Sequence, residues 1–148
     1  MDSTLLAAAA TVVAGGLVGM QAPINSVLGK SIGTFAAASV SFAIGLAVLV
    51  AITLVAGGGF GEVGKAGDLQ WYYLTGGLLG AIYVTTVLVA VRTLGAGGVA
   101  AATIGGQLTA SVILDRTGAL GLPERGLTAP RLIGVVLLAA GTFLIVRD

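Results

Sequence analysis

Charged residues divide this chain into five uninterrupted windows. None falls within 3–29, 31–61, 69–91, 93–114 or 132–146. Inside the windows there is no charged face of the kind a soluble surface helix presents. Nor is there the short-period alternation of a barrel strand. A hydrocarbon core needs roughly 20 consecutive apolar residues per helix. Four windows are long enough and the fifth is nearly so. The pattern predicts five transmembrane helices at about 4–29, 34–56, 71–93, 97–115 and 130–147, forming a single membrane domain over 1–148. The expected fold class is an all-α integral membrane protein, a five-helix bundle.

Composition strengthens this reading. The chain of 148 residues is 57% hydrophobic and 9% charged, whereas a soluble domain carries about 25% charged residues. The opening "MDSTLL" has Asp2 and no lysine or arginine, so it lacks the basic start of a cleaved signal and is read as part of the first span. Trp71, Tyr72 and Tyr73 open the third span, where amphipathic rings favour the headgroup level. Tyr83 lies half-way along it, where its hydroxyl needs a partner or a cavity.

Small residues recur at four-residue steps: Ala37, Ser41 and Gly45; Gly76 and Gly80; Gly98, Ala102, Gly106 and Ala110. Helices in lipid pack through such positions because backbones can approach there. These stripes are read as packing surfaces.

Five spans put the termini on opposite sides. The N-terminal side then holds Lys65, Arg116, Arg125 and Arg131, and the other side holds Lys30, Arg92 and Arg147. Lysine and arginine excess sets orientation, and here the excess is one residue. The slight bias puts the N-terminal side in the cytoplasm, and the near balance fits either chance in a chain with few charges or a chain that inserts both ways and pairs with its inverted copy. The expected partners are therefore a second copy in inverted orientation (or a sister chain), the lipid bilayer and a small-molecule substrate.

The chain has no cysteine and no histidine. Disulfides, thiolate chemistry and the usual zinc ligands are excluded, and no metal or cofactor is expected. A net charge of +1 suggests no nucleic-acid partner. No carboxylate pair shares a helical face, so enzyme chemistry is not expected. "VAGGGFGEVGKAG" lacks the spacing of a phosphate loop and is read as a connection. In "TGALGLPERGLTAPR", Pro123 and Pro130 suggest a turn and a helix start.

Two polar stripes interrupt the apolar spans. In "VGMQAPINSVLGKS", Gln21 and Asn25 are four residues apart and share a helical face. Pro23 between them removes a backbone donor and loosens the turn. In "TIGGQLTASVILDRTG", Thr103, Gln107, Ser111 and Asp115 follow at four-residue steps. Lipid exposure of Gln107, and more so of Asp115, is costly, so both faces are expected to turn inward. Packing glue and a polar passage are the competing readings, and the second stripe with the proline favours the passage. Gln21, Asn25, Tyr83, Gln107 and Ser111 are the expected solute-lining residues. Asp115 and Arg92 are candidates for coupling or for an ion pair between inverted copies, and Pro23 marks a helix break.

Five segments carry a resemblance: "MQAPINSVLG" at 20–29, "ASVSFAIG" at 38–45, "GGLLGAIYV" at 76–84, "GGQLTASVILDRTGALG" at 105–121 and "RLIGVVLLAAGTFLIV" at 131–146. Together they make the chain resemble the YdcZ-like family of small five-helix bacterial membrane proteins in the drug/metabolite transporter superfamily. The resemblance implies one five-helix repeat of that fold, paired antiparallel as a homodimer or with a sister chain, in the bacterial cytoplasmic (inner) membrane. The small multidrug resistance transporters, related to that family, exchange protons for cations at a glutamate in the first helix. This chain has Gln21 and Asn25 there and no carboxylate, and an amide does not trade a proton for a cation. Proton-coupled export of drug cations is therefore not carried over. The expected function is a secondary transporter moving a small organic solute by alternating access at a site between two inverted protomers. A small dual-topology ion channel and a non-transporting structural membrane protein are the alternatives.

Overall fold

The computed structural model describes residues 2–147, and the chain is helical almost throughout. Helix α1 runs Ser3–Ile32, started by Asp2, whose carboxylate accepts the Thr4 amide at 3.2 Å. It stays helical through Pro23. Thirty residues make a helix about 45 Å long, longer than the roughly 30 Å hydrocarbon core. Helix α2 runs Thr34–Val55. A glycine-rich connection follows, with a 3-10 turn at Val63–Asp68 and an exposed pair between Lys65 and Glu62. Trp71–Thr75 forms a second 3-10 turn that leads into the continuous stretch Gly76–Thr117.

That stretch is two helices. Gly95 breaks it with φ 66° and ψ 173°, dividing it into α3 at 76–94 and α4 at 96–117. Helix α5 is Ala129–Arg147, with Pro130 in its first turn. Counting from Trp71, the segment is 47 residues long, about 70 Å, more than twice what one crossing needs. Split at Gly95, each part is long enough to cross. With α1, α2 and α5, there are five helices of membrane-spanning length among the described residues.

Gly33, between α1 and α2, has φ 92° and ψ 150°. It and Gly95 occupy a region of backbone space that only glycine enters without strain of about 1–3 kcal/mol. Two helix pairs are thus joined by single glycines, where the charge pattern alone suggests short loops.

By contacts the chain forms two compact units, Met1–Arg92 and Thr93–Asp148. In the first, α3 runs antiparallel to α2. A Cβ placed on Gly80 would lie 3.5 Å from the Phe42 ring, and twelve residues on, Arg92 reaches Thr34. Ala37 and Leu88 are fully buried, and Ala22, Ala38, Val84 and Val87 nearly so. Small side chains dominate this core, as expected where helices are held by close approach rather than by expulsion of water.

In the second unit, α4 and α5 form an antiparallel hairpin. Thr142 Oγ1 donates to the carbonyl of Ala101 at 3.0 Å, and a Cβ on Gly105 would stand 3.5 Å from that same hydroxyl. At the other end the Arg125 amide donates to the Asp115 carbonyl at 2.7 Å, folding the connection back onto α4.

Large apolar side chains cover the outside of the helices. Val12, Phe35 and Val55 are at least three-quarters exposed, and Leu46, Leu49, Val136 and Phe143 about two-thirds. A helix that is apolar on its open faces belongs in lipid.

Candidate functional site

Polar side chains in the first unit collect at the α1–α2 contact. Gln21 and Asn25 both line a cavity of about 400 Å³ between these helices, with Ser41 on the facing wall. Gln21 and Ser41 also line a neighbouring space of about 300 Å³ that reaches Phe42 and Gly45. Asn25 is 5% exposed, and its Nδ2 donates to Ser41 Oγ at 3.2 Å. Asn25 keeps a carbonyl oxygen and a second amide hydrogen beyond that bond. Gln21, half-buried one turn away, makes no side-chain hydrogen bond among the described residues. Pro23 lies between them and leaves the Gly19 carbonyl without its helical donor. The rest of the wall is aliphatic. A mostly apolar cleft with a few convergent polar groups is the common form of a small-molecule site.

A second polar set lies where α1, α2 and α3 meet. Arg92 Nε donates to Ser26 Oγ at 3.4 Å, and Nη2 donates to Thr34 Oγ1 at 3.3 Å. Gly29 lies against the guanidinium, since a Cβ there would come within 3.1 Å of Nη2 and 3.0 Å of Leu88.

In the second unit Asp115 pairs with Arg131 at 2.6 Å, each side chain about one-third exposed. The sequence reading set Asp115 against Arg92 of an inverted copy. Within one chain, each of the two has a different partner.

The expected lining residues divide. Gln21 and Asn25 come together. Tyr83 is half-buried on α3 and is not part of either α1–α2 cavity wall. On α4 the polar stripe divides: Asp115 is half-buried beside Arg131, while Gln107 and Ser111 are exposed on the single chain. The face that meets α5 is the one bearing Gly105 and Thr109, with Ala139, Thr142 and Phe143 opposite. Glycine allows the closest backbone approach, so it claims that contact and leaves the amide outside it. Most threonines in the spans are spent on their own helices: Thr53, Thr85, Thr86 and Thr109 each donate to the carbonyl four residues back.

Four residues at these sites escaped the sequence reading as functional positions. Ser41 was grouped with packing residues, and it is Asn25's partner. Ser26 follows Asn25 directly, so it points to another face and joins no periodic stripe. Thr34 meets Arg92 between the start of α2 and the end of α3, and Arg131 meets Asp115 across the 118–128 connection. Opposite charges flanking the 118–128 connection are the one signal that pointed to the Asp115–Arg131 pair.

Comparison with known proteins agrees with this architecture. The family described as "Putative inner membrane exporter, YdcZ" matches residues 6–144. The inner membrane protein YdcZ of Escherichia coli (strain K12) is 33% identical over 89 residues, covering 60% of this chain and 58% of that protein. The chain thus matches somewhat over half the length of this curated relative. No solved structure matches. With five apolar helices of spanning length and a family match over nearly its whole length, the chain is a multi-pass inner-membrane protein and belongs to the YdcZ family of the drug/metabolite transporter type.

Proposed function

We propose that the chain is a secondary exporter of small organic solutes that works by alternating access, with a site built between two inverted copies. The observation that carries this reading is the α1–α2 cleft, where Gln21, Asn25 and Ser41 sit among aliphatic walls. Buried amides in a membrane mark solute pathways or helix contacts. Here Asn25 retains hydrogen-bonding capacity beyond its one bond to Ser41. The description of the family as an inner-membrane exporter agrees with it. Two further features support a second copy. Gln107 and Ser111 are exposed on the single chain, and an amide left in lipid is costly. Lysines and arginines are balanced four to three across the membrane, which suits insertion in both orientations. Repeats related by inversion commonly form a site at the midplane.

The test is flux through purified protein in liposomes. Labelled amino acids, short carboxylates, sugars and amines are presented in turn, with and without the same unlabelled solute inside. The expected result is saturable uptake of one class, accelerated by solute on the opposite side. Flux without such acceleration would mark a channel, and no flux for any class would contradict the proposal.

A further inference from the structure

We infer that the solute carries a negative charge, and that Arg92 is the residue that recognises it. This deepens the proposed function and rests on that reading. Three observations converge. First, among the described residues Arg92 is held in place by neutral groups alone. Ser26 and Thr34 accept from Nε and Nη2 at 3.4 and 3.3 Å, both at the long end for such bonds. A guanidinium has five donors, so most of its hydrogen-bonding capacity is free. Second, no carboxylate is near at hand in the sequence of this unit. Its acidic residues are Asp2, Glu62 and Asp68, all outside α1, α2 and α3. Asp115, the acid nearest a membrane span, is paired with Arg131. Third, space has been made for the guanidinium. Gly29 is buried and lies directly beneath it, where any side chain would intrude.

The position relates Arg92 to the cleft. Thr34 and Ser41 are seven residues apart on α2 and share one face. The guanidinium bonds to the first and the Asn25 amide to the second, about 10 Å apart along the helix. Ala37 and Ala38 lie between them and are buried, so a solute would meet the exposed Arg92 at the end of α3 before it reaches the cleft. Its acidic group would lie on the planar fork, which matches carboxylate or phosphate oxygens in pairs. A cationic solute would be repelled by Arg92.

The same fork would accept the phosphate of an anionic lipid, so the test separates the two sources. The protein is labelled with 15N in arginine and studied in neutral detergent, and the Nε resonance missing from Arg92→Lys identifies Arg92. Benzoate, inorganic phosphate, benzamide and benzylamine are then titrated. The expected result is a saturable shift of the Arg92 signal with benzoate and with phosphate, and none with benzamide or benzylamine. Benzoate affinity, read by thermal shift, should fall about tenfold or more in Arg92→Lys, because a point charge replaces a two-pronged donor. Gly29→Ala should weaken it too, by displacing the fork while keeping the charge. No response to free anions, or an equal response to benzylamine, would overturn the inference. A shift that appears only in phosphatidylglycerol-containing nanodiscs would assign the site to lipid and overturn it as well. Anion binding to Arg92 without flux in liposomes would count against the transport reading and leave the anion site standing.

Discussion

Asn25→Leu should cut solute flux sharply while leaving the protein inserted and folded. Asn25 is almost fully buried and bonds Ser41 across the α1–α2 contact. Leucine has similar bulk and suits the bilayer, so the helices should still pack. What is lost is every polar group that Asn25 offers a solute, and Ser41 loses its partner. A solute polar group left without its partner in the cleft costs about 1–3 kcal/mol, so flux should fall by roughly ten- to a hundredfold. Asn25→Gln should recover part of it. If the amide were only glue between helices, Asn25→Leu would instead lower stability and spare the flux of whatever protein remained folded. Flux and unfolding in sodium dodecyl sulfate, measured on the same preparation, separate the two.

Arg131→Ala and Asp115→Ala should each destabilise the α4–α5 hairpin, and the double substitution should cost little more than either alone. The pair is short, at 2.6 Å, and only about one-third exposed on each side. Removing one partner strands the other charge beside apolar helix ends. A fully buried orphan costs 3–5 kcal/mol and an exposed pair is worth less than 1 kcal/mol. Partial exposure puts this one between, at about 1–2 kcal/mol. Non-additivity of about 1 kcal/mol in a double-mutant cycle is the signature of direct contact. Arg147→Ala, at the far end of α5, is the control. Additive losses would mean that the two side chains act independently.

The membrane spans were legible because charge is segregated in this sequence. Lys30, Arg92, the 115–116 pair and Arg131 stand at or near helix ends, so counting charges nearly counts helices. The single-residue joints were harder to read. Gly33 and Gly95 lie among many glycines, and only backbone angles reveal which ones turn the chain. The Gln21–Asn25 pair was readable because both residues lie on one helix, where spacing alone dictates a shared face. Their partner was not. Which residue of α2 meets Asn25 depends on the register between two helices, and Ser41 differs from its neighbour Ser39 in nothing but that register. The same gap explains the second stripe. Periodicity placed Gln107 and Ser111 together, yet the choice of which α4 face meets α5 falls to close approach at Gly105. Arg92 was set against Asp115 of an inverted copy because the two should lie at one membrane level. Within one chain its guanidinium meets the hydroxyls of Ser26 and Thr34.

The central claim is that the α1–α2 cleft is a wet solute site and not a dry contact between helices. The absence of native cysteine makes a direct measurement straightforward. Ser41→Cys is introduced alone, with Ile52→Cys as a control on an exposed, lipid-facing position of the same helix. Each is treated with a charged, membrane-impermeant thiol reagent in liposomes. The account predicts that Cys at position 41 reacts, that the transported solute slows the reaction, and that Cys at position 52 stays inert. An unreactive position 41, matching position 52, would mean that no water reaches Asn25 and Ser41, and the cleft would then be packing alone.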